Sequence, residues 1–398
     1  MKRIAIIGGG AAGFMAAITA KERAPHAEVT LFEKTNKILS KVKISGGGRC
    51  NVSNACFNIS ELCKNYPRGG KQLKKSFIHF YTKDTIEWFA KRGISLKTEA
   101  DKRIFPESND SQTIVDCLVQ ALKKVGAQLT TQSLVTQITP LEKGFQLSIN
   151  NQELYFDKLI VATGGSPKLG GLQWLANLGY SIENPVPSLF TFNMPSESIK
   201  ELMGVVAPNA SVKIQGAKQK QSGPVLITHW GMSGPAILKT SAFEARTLAK
   251  QDYQFKTQIN WADLSEQDYL QLIEGQGRKK IAKNPFDLPS RLWLYLLDKI
   301  EIKADHLWSQ LGKKNKNRLL NTLMNDVYDI SGKTTFKEEF VTCGGVSLLN
   351  INMQTMESKL HPGMYFAGEV LDIDGVTGGF NFQAAWTTGF LAGKSSAS

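Results

Sequence analysis

The order of hydrophobic and polar positions predicts an open α/β unit at the start of the chain. Residues 2–7 (KRIAII) and 28–32 (EVTLF) are short β-branched runs, and an alanine-rich helical stretch lies between them. Runs of this kind are typical of parallel strands that are buried on both faces. Short apolar runs of the same kind occur at residues 158–161 (KLIV) and 364–366 (MYF). We therefore predict the α/β fold class, with a Rossmann-like domain.

The pattern changes in the middle of the chain. After Pro187 short alternating runs such as SVKI and QFKTQIN predict strands of a small β-barrel or sandwich. From Asp263 apolar residues recur every three to four positions, which predicts helices. Glycine-rich texture returns at residues 342–346. The predicted segments are the first part of the α/β domain (1–187), an inserted β domain (188–258), an inserted helical domain (259–340) and the second part of the α/β domain (341–398).

The first predicted strand leads directly into a glycine-rich turn. Gly8, Gly10 and Gly13 match GxGxxG between a strand and a helix, which is the context that a dinucleotide site requires. The helix N-terminus offers free N–H groups and a positive dipole end to phosphates. Glu33 lies 20 residues after Gly13, where an acid receives the ribose hydroxyls. The spacing predicts a dinucleotide site, without choosing between FAD and NAD.

Three later segments favour FAD. The strand at 158–161 runs into a turn at Thr163 and Gly164 that resembles the second FAD-contacting element of two-dinucleotide flavoproteins. The strand at 364–366 ends at Gly368 and Glu369, where related flavoenzymes commonly carry Asp for the ribityl chain. A further glycine-rich turn precedes an apolar helix, whose dipole would stabilise a reduced flavin. The predicted cofactor residues are Gly8, Gly10, Ala12, Gly13, Glu33, Lys34, Lys41, Ser45, Gly46, Gly47, Arg49, Val135, Thr163, Gly164, Gly368, Glu369, Gly378, Gly379, Phe380 and Asn381.

Longer motifs carry a family resemblance. The run from Lys41 to Asn54 (KVKISGGGRCNVSN) resembles the signature of the bacterial YhiN/BaiN-like flavoproteins, which are described as NAD(P)/FAD-dependent oxidoreductases or as the aminoacetone oxidase family. Residues 103–106, 228–235, 344–346, 355–358 and 368–383 match as well. The resemblance implies an FAD-binding domain of the two-dinucleotide flavoprotein type, which is split in sequence by an inserted module. The resemblance also implies one of two activities. These are reduction of a uridine C5=C6 bond in large-subunit ribosomal RNA and reduction of an enone in a steroid-like substrate.

The catalytic candidates lie in the same signature. Arg49 is suited to neutralise a phosphate or a reduced-flavin anion, and Cys50 to donate a proton while flavin N5 delivers hydride. Asn51 and Asn381 are expected to hydrogen-bond flavin edges. The alternative for Cys50 is a small buried hydrophobe, and for the asparagines ordinary turn positions.

The composition is that of a globular protein. Hydrophobic residues make up 42% of the 398 positions and charged residues 21%, which excludes a disordered or fibrous chain. No leader pattern and no run of about 18 apolar residues occurs, so we expect a cytoplasmic protein without a membrane anchor. Its five cysteines form no CxxC pair and are expected to be free thiols. No metal-ligand spacing is present.

Charge points to an anionic partner. The chain has 48 Lys and Arg against 35 Asp and Glu, a net charge of +13, and the window from Lys34 to Lys75 holds ten bases with Glu61 as its single acid. A flavin needs few cations, whereas RNA phosphates reward many. The predicted substrate residues are Lys71, Lys74 and Lys75, together with Thr228, His229 and Ser233 in a loop of the insert.

Three functions remain open at this point. An RNA reductase is favoured by the charge, a small-molecule oxidoreductase predicts a closed apolar cleft, and a non-catalytic RNA-binding flavoprotein predicts bound FAD without a product. Only one GxGxxG occurs, so NAD(P)H is expected to bind transiently as the electron donor. The oligomeric state is left open.

Overall fold

The computed structural model describes residues 1–335 and 341–398, which form two compact units. The first unit contains residues 1–187 and 341–398, and the second contains residues 188–335. Each unit is described by itself below. No helix among the described residues has the length and apolar character needed to cross a bilayer.

The helices and strands follow in chain order. Up to Ser188 the strands are β1 (Arg3–Ile7), β2 (Glu28–Phe32), β3 (Ser53–Asn54), β4 (Leu96–Thr98), β5 (Arg103–Pro106), β6 (Gln128–Thr130), β7 (Val135–Pro140), β8 (Phe145–Ile149), β9 (Gln152–Phe156), β10 (Lys158–Val161) and β11 (Ile182–Ser188). The helices there are α1 (Ala11–Arg23), α2 (Ser40–Gly48), α3 (Ile59–Cys63), α4 (Gly70–Phe77), α5 (Thr82–Ala90), α6 (Ser111–Val125) and α7 (Gln173–Asn177).

The second unit and the C-terminal segment complete the chain. The second unit holds strands β12 (Thr191–Asn193), β13 (Val206–Ile214), β14 (Gln221–Thr228), β15 (Gly231–Ser233), β16 (Gln254–Asn260), β17 (Asp326–Ser331) and β18 (Lys333–Thr334). Its helices are α8 (Pro235–Phe243), α9 (Ala245–Lys250), α10 (Glu266–Glu274), α11 (Ser290–Lys299) and α12 (Gly312–Met324). The C-terminal segment adds β19 (Val341–Val346), β20 (Met364–Phe366) and α13 (Phe380–Ala397).

A parallel sheet forms the centre of the first unit, with strand order β20-β10-β1-β2-β6. Its apolar strands are buried, as their continuous apolar runs predicted; Ile4 and Ile160, for example, are fully buried. The antiparallel strands β7, β8 and β9 pack on this sheet where Phe156 meets Phe32 edge to face, with ring centroids 5.8 Å apart. On one side of β1 lies β2, the next strand in the chain, and on the other side lies β10, which comes much later. Such a change of strand order opens a binding crevice at the carboxyl end of β1.

Helix α13 lies directly against α1. A Cβ added at Gly389 would lie 2.5 Å from the carbonyl oxygen of Ala12, and one at Gly393 would overlap the carbonyl of Ala16. Glycine is therefore needed at both positions for the two helices to approach so closely. This contact fixes the start of α13 relative to the turn after β1.

The second unit is built on an antiparallel sheet with strand order β17-β16-β13-β14-β15-β12-β18. The strands and helices predicted for this region are present. The predicted division at residues 258 and 259 differs from the structure, because it cuts through β16 and because β17 pairs with that strand, Thr257 opposite Tyr328. Trp261, Trp293 and Phe192 share one hydrophobic core, so the strands and helices of this unit fold together.

Candidate functional site

The glycines of the first turn have different surroundings. Gly8 has φ +115°, and a Cβ there would overlap the carbonyl of Ala162 at the end of β10. A Cβ at Gly13 would overlap the carbonyl of Gly8, so this glycine permits the close packing of helix on strand. Gly10 has nothing within 4 Å of an added Cβ. The turn is therefore packed where it meets the protein and open at the glycine expected to face a pyrophosphate.

A cavity of about 650 Å³ opens beside this turn. Glu33 is on its wall, and its carboxylate accepts hydrogen bonds from the backbone N–H groups of Gly9 and Thr35, each at 2.9 Å. Of the residues predicted from the sequence, the lining includes Gly8, Glu33, Lys34, Val135, Thr163 and Gly164. Pockets of this size typically hold small-molecule or cofactor fragments. Ala12 instead lies buried under the turn, against Gly368.

Glu369, which follows β20, connects helix α2 to the start of β19. Its carboxylate pairs with Lys41 Nζ at 2.6 Å and accepts a hydrogen bond from the backbone N–H of Thr342 at 2.8 Å. The Thr342 hydroxyl is buried and has no hydrogen-bond partner among the described residues. A Cβ at Gly165 would lie 2.5 Å from that hydroxyl. A buried polar group without a partner, beside a glycine on the cavity wall, indicates a site for a polar ligand.

The backbone of the signature segment is not helical throughout α2. Within α2 Ser45 is extended, with ψ 152°, and Gly46 and Gly47 have φ of +59° and +69°. Gly48 continues in the left-handed region, with φ +82°. Gly46 is packed against Phe105, whereas an added Cβ at Gly47 or Gly48 meets nothing within 4 Å. The exposed backbone of Gly47 and Gly48 is therefore accessible to a ligand.

Asn51 ties this segment to the N-terminus of α13. Its side-chain amide donates to the carbonyl of Ser53 and accepts from the backbone N–H of Gly379, both at 2.9 Å. Asn54 donates to the carbonyl of Gly378 at 3.0 Å. Gly378 and Gly379 have φ of +123° and +93°, and a Cβ at Gly379 would overlap the carbonyl of Ser53. Asn51 thus positions the helix terminus rather than presenting a free amide.

Arg49 is engaged by two neighbours. Its guanidinium donates to Glu99 Oε1 at 2.7 Å and lies over the ring of Phe105, 4.0 Å from the centroid. Both contacts hold the side chain on one face of the signature segment. The pairing with Glu99 reduces the charge that Arg49 can offer to an anion.

Cys50 has the environment of a core thiol. The residue is completely buried and has φ +60°. Burial raises the pKa of the Cys50 thiol to about 12, and a hydrogen bond with Ser45 opposes part of that rise. The thiol is protonated at neutral pH but has no exposed surface from which to reach a substrate. The geometry therefore favours packing over the predicted role as proton donor.

Asn381 and Phe380 shape the turn before α13. The Asn381 amide donates to the carbonyl of Gly375 at 2.9 Å and accepts from its N–H at 2.8 Å, so both amide atoms are used within the protein. Phe380 is buried, and its ring packs edge to face on Tyr66 with centroids 6.1 Å apart. The structure thus uses both residues to hold the turn rather than to contact a flavin edge.

The segment from Lys34 to Lys75 has less unpaired positive charge than its sequence suggests. Four of its ten bases pair with acids, three of which lie outside the window: Lys41 with Glu369, Arg49 with Glu99, Lys64 with Glu61 and Arg68 with Asp374. In the described part of the chain the other six have no ion pair; they are Lys34, Lys37, Lys43, Lys71, Lys74 and Lys75. All six are exposed. Half of them lie on α4, which concentrates the unpaired charge on one helix.

The substrate residues predicted in the insert belong to the second unit. Thr228 ends β14, Ser233 ends β15, and His229 is the exposed residue of the turn between them. The Thr228 hydroxyl is buried and has no hydrogen-bond partner within the described ranges. Among the residues the structure describes, no group of three or more His, Cys, Asp and Glu side chains is arranged to hold a metal.

The residues of the first unit fit an FAD molecule. The turn at Gly8–Gly13 would hold the pyrophosphate, Glu33 the ribose, Glu369 and Thr342 the ribityl side, and the start of α13 the flavin ring. Sequence reasoning missed Thr342 and the Glu99 partner of Arg49. Thr342 carried a signal, since it precedes the Gly344–Gly345 pair, whereas no local pattern links Arg49 to an acid 50 positions away.

Comparisons with known proteins identify the family of the chain. The family model described as HI0933-like protein Rossmann domain matches residues 2–395. The 3-dehydro-bile acid delta(4,6)-reductase of Clostridium scindens is 27% identical, over 100% of this chain and 99% of that enzyme. The ribosomal RNA dihydrouridine synthase of Escherichia coli is 30% identical, over 98% of this chain and 96% of that enzyme.

A solved structure supports the fold. The 3-ketosteroid-delta4-(5alpha)-dehydrogenase of Rhodococcus jostii superposes with a TM-score of 0.53 at 14% identity, and the match covers 100% of this chain and 97% of that one. At that identity the likeness concerns the fold alone. The chain therefore belongs to the HI0933-like family of Rossmann-fold, FAD-dependent oxidoreductases.

Proposed function

We propose that this FAD-dependent oxidoreductase reduces the C5=C6 bond of a uridine in large-subunit ribosomal RNA, which forms dihydrouridine. The observation that carries the proposal is the basic face of α4 in the FAD-binding unit. Lys71, Lys74 and Lys75 are exposed there, and none of them has an ion pair among the described residues. The similarity to the Escherichia coli ribosomal RNA dihydrouridine synthase supports the same substrate class.

The three exposed lysines of α4 have no acid among the described residues to offset their mutual repulsion. Three cations on two turns of one helix repel each other, although Lys74 and Lys75 lie in its last turn, where the helix dipole favours positive charge. A phosphodiester backbone neutralises them and releases its counterions, which is the main source of affinity in such contacts. A small neutral substrate offers no comparable gain. The lysines of α4 therefore favour a polyanionic substrate.

Reduced FAD, when bound, supplies the hydride for one carbon of the double bond, and a proton added to the other carbon completes the saturated product. The protein's part is to position and to balance charge. The first turn of α13 offers N–H groups without intrahelical partners and a positive dipole end, which would stabilise negative charge nearby. Asn51 and Asn54 hold that turn in place. We propose NAD(P)H as a transient donor, because a second GxGxxG is missing from the sequence.

The test combines a gene deletion with a purified-protein assay. Dihydrouridine is mapped in ribosomal RNA from the deletion strain, and we expect one site to be lost. In vitro, Lys71→Ala/Lys74→Ala/Lys75→Ala should retain FAD but bind ribosomal RNA more weakly. Each phosphate contact contributes about 0.7–0.9 to the slope of log K against log salt, so the slope should fall by about 2–3.

A matched control removes the same charge elsewhere in the same unit. Lys123, Lys124 and Lys143 are exposed, so Lys123→Ala/Lys124→Ala/Lys143→Ala should bind RNA as the wild type does. An unchanged dihydrouridine map in the deletion strain contradicts the proposal. Bound FAD and RNA without a reduced product would instead indicate the non-catalytic RNA-binding role.

A second candidate is the reduction of an enone in a small molecule. It is favoured by the Clostridium scindens relative, a bile acid reductase that matches over nearly its whole length. This function predicts turnover that is nearly independent of salt and unaffected by the lysine substitutions on α4. Steady-state rates with a 3-keto-4-ene steroid at two salt concentrations distinguish it from the RNA reductase.

A further inference from the structure

The turn between α3 and α4 is fastened to the loop that precedes α13. The backbone N–H of Val376 donates to the carbonyl of Asn65 at 2.9 Å. Gly69 has φ +77°, and a Cβ there would lie 2.7 Å from the Ile373 side chain. Residues 65–70 and residues 372–380 therefore lie in direct contact, far apart in sequence.

An ion pair at the centre of this contact is nearly sealed from solvent. The Arg68 side chain is 10% exposed and that of Asp374 is 0% exposed. The guanidinium approaches the carboxylate in fork geometry, with Nε donating to Oδ1 and Nη2 to Oδ2. Arginine pairs of this kind fix orientation as well as distance, and the lysine side chain cannot reproduce them.

Tyr66 fastens the same two segments from the other side. Its hydroxyl donates to the carbonyl of Phe380, the first residue of α13, at 2.7 Å. Its ring packs against Phe77 at the end of α4, with centroids 5.6 Å apart. A Cβ at Gly375 would lie 3.2 Å from this ring, so the loop follows the tyrosine closely.

Helix α4 presents two different faces. Leu73 and Phe77 are fully buried, and Ser76 donates to the carbonyl of Met353, so the inner face is anchored to the unit. Lys71, Lys74 and Lys75 occupy the outer face. The helix that carries the unpaired cations is therefore held just before its start by the Arg68 pair and at its last residue by the ring of Tyr66.

We propose that Arg68 and Asp374 are positioning residues: their buried pair sets the basic face of α4 at a fixed offset from the start of α13. RNA phosphates bound along α4 then place the target base against the cofactor end of the site. This inference rests on the proposed function for its substrate, but the coupling of α4 to residues 375–380 can be tested without it.

The experiment uses the FAD-loaded protein and Arg68→Lys, which keeps the charge and loses the fork. We expect faster amide hydrogen exchange in residues 65–77 and in residues 375–380 together. We expect an unchanged dissociation constant for a ribosomal RNA fragment and a kcat for dihydrouridine formation that is lower by about 10- to 100-fold, the effect of a small misplacement of reactants. A general loss of folding would not separate kcat from RNA affinity in this way.

Two further variants keep the test decisive. Arg92→Lys weakens the Arg92–Glu22 pair (2.6 Å) elsewhere in the unit and should leave exchange in residues 375–380 unchanged. Arg68→Met/Asp374→Leu replaces the buried pair by apolar side chains, a change that proteins commonly tolerate, and should show the same loss of kcat.

The outcomes separate the two proposals. Wild-type exchange in residues 375–380 of Arg68→Lys overturns the positioning role, as does a folded double variant with wild-type kcat. Wild-type protein that forms no dihydrouridine overturns the proposed function, and the exchange measurement then still decides whether the pair couples α4 to α13.

Discussion

The glycines of the first turn differ in what a side chain would meet. Gly8 and Gly13 face backbone carbonyl groups, so any Cβ there collides with the protein itself. Gly10 faces open space and has an ordinary φ of −93°. A substitution at Gly10 therefore tests the ligand, whereas one at Gly13 tests the fold.

We expect Gly10→Glu to fold normally and to lose FAD, because its carboxylate would occupy and repel the place of the pyrophosphate. The measurements are the visible absorbance of flavin bound to the purified protein and the melting temperature of the FAD-free form. Gly10→Ala should retain more cofactor, and Gly13→Ala should lower the melting temperature. A yellow Gly10→Glu protein would contradict the assignment of this turn.

Cys50 is the residue at which sequence and geometry differ most. Position and chemistry made it a candidate proton donor, yet its thiol is sealed inside the unit. We expect Cys50→Ala to retain FAD and turnover and to lose about 1 kcal/mol of stability, the value of one small buried group. A loss of about 100-fold in turnover with unchanged stability would instead restore the proton-donor role.

The same thiol gives a pH prediction. Its pKa is about 12 in the folded protein, above the ordinary value of 9.0 expected after unfolding. Protons are therefore lost first from the unfolded chain, and the stabilising contribution, complete below pH 9, declines as the pH rises toward 12. Urea unfolding at pH 8 and pH 10.5 should show a smaller alkaline loss for Cys50→Ala than for the wild type. An equal loss in both proteins would indicate that the thiol is not buried.

Among the helices and strands, the contact of α1 with α13 positions the two glycine-rich turns of the site. It connects the turn after β1, expected to hold the pyrophosphate, to the glycine-rich turn before α13, expected to face the flavin ring. Backbone approaches backbone at Gly389 and Gly393, and the packing therefore depends on the missing side chains.

We expect Gly389→Ala to destabilise the protein although alanine is the better helix former. Helix propensity alone favours the alanine by about 1 kcal/mol, whereas forcing a methyl group against the Ala12 carbonyl costs about 1–3 kcal/mol. The sign of the change in unfolding free energy decides between the two effects. Ser395→Ala on the same helix is the control, because that position is only half-buried. A more stable Gly389→Ala protein would contradict the close packing.

At the scale of the whole molecule, the charge of +13 is redistributed by the fold. Acids that are distant in sequence neutralise Lys41, Arg49 and Arg68, and three of the six bases of the window from Lys34 to Lys75 without an ion pair among the described residues lie on α4. A sequence window counts neighbours along the chain and therefore overstates the local excess. The fold makes the remaining charge more local than the window had suggested.

Local sequence patterns were sufficient to predict the α/β class, the order of the main strands and helices and the dinucleotide turn. Those features depend on local periodicity and on glycines whose spacing is fixed by the backbone. Only the tertiary structure decided that residues 188–335 share one core, that Cys50 is buried, that Asn381 serves the loop and that Arg68 pairs with Asp374. These outcomes depend on contacts between residues far apart in the chain, and no local pattern encodes which groups will meet.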